Sequence, residues 1–313
     1  MVQIHDAKSP FLLPLYKVYE SNNIFFCKGN IITGPNIFFL LFTYIIIIIS
    51  VLPIYIITYF QIDSSFCLTV ALVSLTIFFI LVLFFLTTTA FCDPGIIPKR
   101  NYVDLSLPKG RTAFTTAKIN GTIIKQYWCV NCNHFKEPRS KHCYTCNNCV
   151  SKFDHHCVWI GNCVGNRNYR RFFFFILNLS ILSTIICFIF VGLFIQLCIK
   201  ENGSLSFQPI LYTIGEYPHI TLYIIYTFPS SLLLINLFVY HLQMVLQNKT
   251  TYEDIQGLYS GDNPFDEGKF INLKKFLFTP VDKIKVEWKE IVKNITLLVI
   301  LICQKYIIIF KTF

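Results

Sequence analysis

The fold is decided by a cysteine-rich segment, residues 129–163, which reads CVNCNHFKEPRSKHCYTCNNCVSKFDHHCVWIGNC. The segment holds seven of the 13 cysteines and four of the seven histidines. Its pairs Cys129/Cys132 and Cys143/Cys146 have the Cys-x2-Cys spacing of a zinc knuckle, whose tight turn aims two thiolates at one tetrahedral ion. Two closed sites need about eight ligands, fewer than the cysteines and histidines present. The spacing predicts two neighbouring zinc sites but does not divide the ligands between them.

Long apolar stretches flank this segment on both sides. Four of them reach the roughly 20 residues that a transmembrane helix needs, and none contains Lys, Arg, Asp or Glu. They are residues 37–60, 66–91, 172–199 and 222–246. The chain is 54% hydrophobic and 14% charged, which excludes a disordered chain, a fibrous repeat and an ordinary soluble enzyme. The shorter, interrupted apolar run 295–310 is expected to lie in the membrane interface or on the bundle, with a fifth span as the less favoured alternative.

The basic residues give the predicted orientation. In a four-span chain, 26 of the 27 Lys and Arg fall on one side, which the positive-inside rule makes cytosolic. The predicted fold is an α-helical integral membrane protein with four transmembrane helices and a cytosolic cysteine-rich double-zinc domain between the second and third spans. The predicted parts are a cytosolic N-terminal segment, the first two spans, the zinc domain, the last two spans and a cytosolic C-terminal region: residues 1–36, 37–91, 92–171, 172–246 and 247–313.

The surplus of possible ligands makes Cys157 a candidate nucleophile. It follows Asp154, His155 and His156, and a thiol beside a base that a carboxylate orients is a common nucleophile-activation pattern. From the spacing alone, Cys157 can equally be one more zinc ligand or a small packed residue. Disulfides are disfavoured in the reducing cytosol, and a thioredoxin-like redox pair needs a βαβ context that the sequence lacks.

Asp154-His155-His156-Cys157 resembles the signature of the DHHC-type protein S-acyltransferases, or palmitoyltransferases. The loop fits their pattern C-x2-C-x9-H-C-x2-C-x2-C-x4-D-H-H-C-x5-C from Cys129 to Cys163. Further motifs of the family match in the expected places: Asp93-Pro94-Gly95 after the second span, Thr250-Thr251-Tyr252-Glu253 (TTxE) after the fourth, and Asn263-Pro264-Phe265-Asp266 beyond it. The resemblance covers about residues 37–280, and the motifs are highly specific as a set.

The resemblance implies a division of the ligands and a set of catalytic roles. One zinc is assigned to Cys129, Cys132, His142 and Cys149, and the other to Cys143, Cys146, His156 and Cys163. Both are structural zinc ions, since four protein ligands leave no position for water. Cys157 is implied as the nucleophile that carries the acyl group, His155 as the catalytic imidazole and Asp154 as the carboxylate that orients it. His134 is then expected to be an exposed loop residue.

The implied enzyme is a protein-cysteine S-palmitoyltransferase. Its acyl donor is a long-chain acyl-CoA, palmitoyl-CoA by resemblance, and its acceptors are cysteines of membrane-associated proteins that face the cytosol. Lys136 and Arg139 match basic positions near coenzyme A in the family, with a basic face against anionic lipid as the alternative. Trp159 is expected to cover the acyl cavity, or else to pack in the zinc domain. Thr251 is implied to hydrogen-bond near Asp154, or else to cap a helix.

Three other functions are weighed against this one. A non-catalytic, zinc-stabilised membrane scaffold has no need of a spare Cys beside a spare His. A transporter predicts ionisable residues within the spans, and only His241, near a membrane edge, is present. Nucleic acid is not an expected partner, because the ligand spacing is not that of C₂H₂ fingers and the lipid bilayer holds the loop. The expected location is an endomembrane, Golgi or ER, with the plasma membrane as the alternative.

Overall fold

Long helices alternate with short strands along the chain. The computed structural model describes residues 12–62, 65–100, 112–202, 205–259 and 261–293. The helices are α1 Leu15–Val18, α2 Ile37–Gln61, α3 Ser65–Ala90, α4 Tyr169–Asn202, α5 Phe207–Glu216, α6 Pro218–Leu246, α7 Thr251–Ile255 and α8 Lys269–Phe278. The strands are β1 Leu12–Pro14, β2 Ile24–Phe26, β3 Ile31–Thr33, β4 Ile96–Ile97, β5 Phe114–Ile119, β6 Thr122–Cys129, β7 His134–Phe135, β8 Lys141–Cys143, β9 Asn148–Val150, β10 His155–Cys157, β11 Asn162–Val164 and β12 Ile291–Lys293. The apolar run 295–310 lies outside the described residues.

Four helices in the described part of the chain, α2, α3, α4 and α6, are long and apolar enough to cross a bilayer. This confirms the predicted four-span membrane fold. Two of them, α4 and α6, begin three and four residues before the apolar runs do. α4 begins at Tyr169 rather than Phe172, because the aromatic and basic residues ahead of the run continue the helix. α6 begins at Pro218 rather than Leu222, since Pro is well tolerated in a first helical turn.

The core of the bundle lies around α4, which packs along both α3 and α6. Phe190 of α4 is fully buried and stacks on Tyr223 of α6, with ring centroids 4.6 Å apart. The outer faces of α2, α3 and α6 expose many large apolar side chains, such as Phe38 and Leu233, which marks them as lipid-facing. α2 and α4 begin, and α3 and α6 end, beside the cysteine-rich segment. We call this end of the bundle the loop face.

The cysteine-rich segment folds into antiparallel hairpins. Its sheets have the strand orders β5-β6-β7, β4-β9-β8 and β10-β11. Each Cys-x2-Cys turn is followed by an asparagine in the left-handed region, Asn133 and Asn147, both with φ of 54°. Asparagine adopts this conformation more readily than most residues because its short side chain can hydrogen-bond locally. The sequence therefore closes each knuckle with a residue suited to the turn.

Buried amides and one close backbone contact fix this segment to the loop face. Asn162 Nδ2 donates hydrogen bonds to the carbonyls of Ala90 and Cys92, both 3.0 Å long. Gly161 has a φ of 68°, and a Cβ there would lie 3.0 Å from the Asn36 carbonyl oxygen at the start of α2. Only glycine fits that conformation and that contact without strain. These contacts hold Cys157 at the loop-face ends of the spans.

The regions before α2 and after α6 also pack beside the loop face. β1 pairs antiparallel with β12, so distant parts of the chain share a two-stranded sheet. α7 begins with a capping box, in which Thr250 Oγ1 accepts from the Glu253 N–H and the Glu253 carboxylate accepts from the Thr250 N–H. This box fixes the first turn of α7, where the TTxE motif lies.

Candidate active site and metal sites

The first group of metal ligands comprises Cys129, Cys132, His142 and Cys149, all buried. The β8–β9 register sets His142 opposite Cys149, and the knuckle brings the other two thiols to them. His142 Nδ1 lies 3.6, 3.3 and 3.8 Å from the sulfurs of Cys129, Cys132 and Cys149. Bond lengths of about 2.3 Å for Zn–S and 2.0–2.1 Å for Zn–N place S and N about 3.6 Å apart in a tetrahedral site. The four side chains therefore fit a zinc ion.

The second group comprises Cys143, Cys146, His156 and Cys163. The β10–β11 register sets His156 opposite Cys163, and His156 Nδ1 lies 3.7, 3.4 and 3.5 Å from the sulfurs of Cys143, Cys146 and Cys163. His156 Nε2 lies 2.8 Å from Asn36 Oδ1. An Nε2–H that donates to Asn36 leaves Nδ1 free for a metal, as is usual for a ligating histidine.

The two groups are interleaved through strand β8. His142 and Cys143 are consecutive, and consecutive side chains of a strand point to opposite faces. His142 therefore belongs to the first group and Cys143 to the second. Each group could hold one metal ion, and three thiolates with one imidazole are a donor set typical of structural zinc. The bound ions would clamp the three hairpins together.

A chain of hydrogen bonds runs from α7 to His155, beside Cys157. The Thr251 N–H donates to Asp154 Oδ1 at 2.8 Å, and His155 Nδ1 lies 2.8 Å from Asp154 Oδ2. Asp154 is buried, so these two bonds stabilise a carboxylate that has little contact with water. Cys157 lies two residues further along β10, close enough to His155 to raise the pKa of its imidazole. The three residues predicted from the signature thus lie together as one unit.

The charges of this unit reinforce one another. Burial alone would raise the pKa of the Asp154 carboxyl, but the hydrogen bond and charge of His155 and the N–H of Thr251 keep that pKa below its ordinary value. Burial alone would lower the pKa of His155, yet its hydrogen bond to Asp154 and the nearby Cys157 sulfur raise it to about 9. The carboxyl is therefore ionised and the imidazole attracts a proton, which suits a base beside a thiol.

Cys157 and Trp159 line one end of a cavity of about 700 Å³ between α2, α4 and α6. This volume lies within the range of about 300–1,000 Å³ that is typical of ligand pockets. The wall is mainly apolar, and α4 contributes from Phe172 to Ile186, a rise of about 20 Å. The acyl chains of a lipid cross one leaflet of the bilayer core, which is about 15 Å thick. The cavity is therefore long enough for one extended acyl chain.

Comparison with known proteins decides which family shares this arrangement. Residues 122–257 match the model of the DHHC palmitoyltransferase family. The chain is 31% identical to the probable protein S-acyltransferase 6 of Arabidopsis thaliana over 296 residues, which covers 90% of this chain and 71% of that protein. The chain belongs to the DHHC palmitoyltransferase family. It is also 30% identical to palmitoyltransferase ZDHHC18 of Homo sapiens over 257 residues, 78% of this chain and 64% of that protein. Membership supports the S-palmitoylation of proteins as its activity.

Within this DHHC chain, Arg139 has a structural role that the sequence did not indicate. Its guanidinium donates to both carboxylate oxygens of Glu253, at 2.8 and 2.7 Å, and also to the side chain and the carbonyl of Asn248. The ring of Phe265 lies 4.4 Å below it. The side chains of Arg139 and Glu253 are only 7% and 3% exposed. Arg139 therefore joins the zinc domain to the TTxE motif, and its contact with coenzyme A stays a prediction.

The remaining predicted residues of the DHHC site take distinct positions. Lys136 is half-buried and makes no ion pair with the residues that the structure describes. Trp159 is 52% exposed, and its carbonyl accepts a 2.8 Å hydrogen bond from Thr43 Oγ1 of α2. The prediction of an exposed His134 is wrong: its side chain is buried at the start of β7, because that strand packs its ring inside the zinc domain. Thr251 reaches Asp154 through its backbone N–H, while Thr250 is the helix cap.

Two residues near the DHHC signature were not predicted to belong to the site. Asn36 precedes the first span and orients His156, and nothing in its local sequence singles it out. His241 lines the cavity close to His155. A signal for His241 was present, since an ionisable residue within a membrane span is by default a candidate for function.

Proposed function

We propose that the chain transfers a long-chain acyl group from acyl-CoA to cysteines of membrane-associated proteins, through a thioester on Cys157. The observation that carries this proposal is the hydrogen-bonded Asp154–His155 pair beside Cys157 at one end of an apolar cavity. A spare thiol beside an oriented base has a chemical purpose that a scaffold lacks. The family and its relatives support the reaction class.

In the first half-reaction, His155 takes the proton of the Cys157 thiol, and Asp154 holds the imidazole in the tautomer that can accept it. The thiolate sulfur attacks the thioester carbonyl carbon. A new carbon–sulfur bond forms, the bond to coenzyme A breaks, and coenzyme A leaves as a thiolate that takes the proton from His155. In the second half-reaction, the thiolate of the acceptor protein attacks acyl-Cys157 in the same way. Each step exchanges one thioester for another, so no external energy source is needed.

The cavity accounts for the preference for a long acyl chain. Burial of each CH₂ group contributes about 0.8 kcal/mol, and the wall beyond Cys157 is formed by apolar side chains of α2, α4 and α6. Far from Cys157, the hydroxyls of Ser50 and Tyr226 lie 3.2 Å apart and satisfy one another. A chain that fills the apolar part and ends before this polar pair is favoured over shorter chains, which leave the cavity incompletely filled.

The loop face is proposed to be the cytosolic side, because 26 of the 27 Lys and Arg lie on that side of the four spans. Coenzyme A is a water-soluble anion, so it must approach from this face. Lys136 is the candidate cation for a coenzyme A phosphate, since its ammonium forms no ion pair with an acidic residue in the part of the chain that the structure describes. The two zinc ions are proposed to act only as structural clamps, because each donor set is complete with four protein ligands.

Labelling with an alkyne-tagged palmitoyl-CoA tests the proposal. The purified parent is expected to form a hydroxylamine-sensitive label, and Cys157→Ser is expected to form none. The matched control is Cys27→Ser, since Cys27 is exposed and outside the spans. Equal labelling of Cys157→Ser and the parent would show that Cys157 is not the acylated nucleophile.

A further inference from the structure

His241 lies next to the reactive unit without belonging to it. It stands on α6, five residues before the helix ends at Leu246, and its side chain is buried. Its ring centroid is 6.1 Å from that of His155 and 5.2 Å from that of Phe172, which it meets edge-on. His241, His155 and Cys157 all line the same cavity. Burial of a polar ring costs free energy unless its nitrogens are hydrogen-bonded, so the partners of both His241 nitrogens need to be identified.

The hydrogen bonding of His241 leaves one nitrogen available to a ligand. Its Nδ1 lies 3.1 Å from the hydroxyl of Tyr169. We assign the hydroxyl as the donor, since Nδ1 then accepts and a neutral imidazole carries its proton on Nε2. Among the described residues, Nε2 has no hydrogen-bond partner. It therefore offers an N–H group within the cavity wall near His155.

The proposed reaction needs such a donor. When the Cys157 sulfur bonds to the thioester carbon, the carbonyl π electrons move to the oxygen and form an oxyanion. His155 and Asp154 handle the proton of the thiol and provide no separate donor for that oxygen. Enzymes of acyl transfer stabilise this oxyanion with fixed donors in a site that excludes water, and this is commonly a large part of their rate enhancement.

The hydroxyl-bearing side chains of the cavity wall either lie too far along the helices or are already hydrogen-bonded. At a rise of 1.5 Å per residue, His241 is about 8 Å from the loop-face end of α6. Hydroxyl-bearing residues deeper in the wall are about 20 Å or more from the loop-face ends of their helices: Ser50, Ser183, Tyr226, Thr227 and Ser230. Thr43 is near the loop face, but its hydroxyl hydrogen-bonds the carbonyls of Phe39 and Trp159.

We propose that the His241 Nε2–H donates a hydrogen bond to the oxyanion of the thioester carbonyl, and that Tyr169 fixes the tautomer that makes this possible. This inference rests on the proposed role of Cys157. When the intermediate collapses, the oxygen's electron pair re-forms the carbonyl, the bond to the coenzyme A sulfur breaks, and the hydrogen bond to His241 weakens. Attack on acyl-Cys157 by the acceptor thiolate creates an oxyanion on the same carbonyl, so His241 serves both half-reactions.

Three substitutions separate a donor from a packing residue. His241→Leu introduces an apolar side chain of similar bulk and removes the N–H. His241→Gln instead places an amide N–H near the position of Nε2. Tyr169→Phe removes only the hydroxyl. His219→Leu is the matched control, because His219 is an exposed histidine at the opposite end of the same helix. Each variant is checked for the zinc content and thermal unfolding of the parent.

The measured quantities are the single-turnover rate of acyl-Cys157 formation and the affinity for a non-reactive thioether analogue of palmitoyl-CoA. We expect His241→Leu to slow acylation by about 10²- to 10³-fold with analogue affinity within about twofold of the parent. His241→Gln is expected to react at least about tenfold faster than His241→Leu, and Tyr169→Phe to lose about tenfold, the worth of one hydrogen bond. His219→Leu is expected to match the parent.

Acylation of His241→Leu at the parental rate would overturn the proposal, as would a His241→Gln variant no faster than His241→Leu. If His241→Leu does not fold, the Tyr169→Phe rate still decides it, because acylation at the parental rate would show that the Tyr169 hydroxyl does not fix the tautomer that the proposal requires. Failure of the underlying function is recognised separately: Cys157→Ser then labels like the parent, whereas failure of this inference alone leaves the Cys157 dependence intact.

Discussion

The ion pair between Arg139 and Glu253 gives the sharpest test of how the zinc domain and the TTxE motif cooperate. Both side chains are nearly inaccessible to water, and the two hydrogen bonds between them are 2.8 and 2.7 Å long. Glu253→Gln removes the negative charge but keeps a side chain that can complete the capping box of α7. The substitution therefore leaves the Arg139 charge buried and unpaired while it preserves the local helix start.

The expected cost follows from the burial of the pair. Loss of one partner of a buried ion pair destabilises a protein by about 3–5 kcal/mol, which corresponds to roughly 10²- to 5 × 10³-fold in an equilibrium constant. The strain falls on the contact between the zinc domain and α7, so the Thr251 N–H should detach from Asp154 more often. Hydrogen exchange at the amides of α7 should accelerate by about that factor, and acyl-Cys157 should form more slowly.

Two comparisons make the measurement decisive. The double variant Arg139→Met/Glu253→Gln leaves no unpaired charge and should exchange more slowly than Glu253→Gln alone. Glu267→Gln breaks the Lys275–Glu267 pair, whose side chains are 54% and 40% exposed, and should change exchange by no more than severalfold. Parental exchange at α7 in Glu253→Gln would refute the reasoning, because a buried unpaired guanidinium cannot be neutral in its effect.

Three further predictions concern the metal sites, the base and the cavity. Metal analysis should give about two zinc ions per parent chain. Cys163→Ser removes a ligand of the second group and should leave fewer than one zinc ion per chain, because β8 carries a ligand of each group and loss of one ion loosens the other site. A content of one would show that the two sites are independent. Asp154→Asn should slow acyl-enzyme formation by about 10²- to 10⁴-fold, and a parental rate would exclude a role for the carboxylate. Ser183→Phe should shift the preferred acyl chain to shorter lengths, because its side chain lines the cavity; an unchanged chain-length profile in competition assays would contradict the assigned position of the tail.

The membrane spans were predictable because burial in lipid demands long uninterrupted apolar runs. The ends of the helices were less predictable. α4 extends to Tyr169 through two arginines, and helical hydrogen bonding at the interface tolerates charged side chains that an apolar window excludes. The helix α5, in the connection between the third and fourth spans, was not predicted at all.

At the site, spacing predicted the two knuckles, and the family resemblance supplied the division of ligands that the structure brings together. The Arg139–Glu253 pair and the Tyr169–His241 contact join residues 114 and 72 positions apart. Such contacts depend on the packing of whole elements, and no local pattern encodes them. The burial of His134 shows the same limit, since a short strand in a small domain can bury either of its faces.

The sharing of strand β8 between the two metal groups has a consequence for damage by oxidants. An oxidant that converts one zinc-bound thiolate to a sulfenic acid expels the metal from that group, and β8 is then released from one of its two anchors. Because the next residue of the same strand anchors the other group, the second site loosens as well. Oxidative inactivation should therefore be all-or-none for each molecule. A partly oxidised sample would contain fully active molecules and inactive ones. Its remaining activity would equal the fraction of active molecules and would not reflect a lower rate in each molecule.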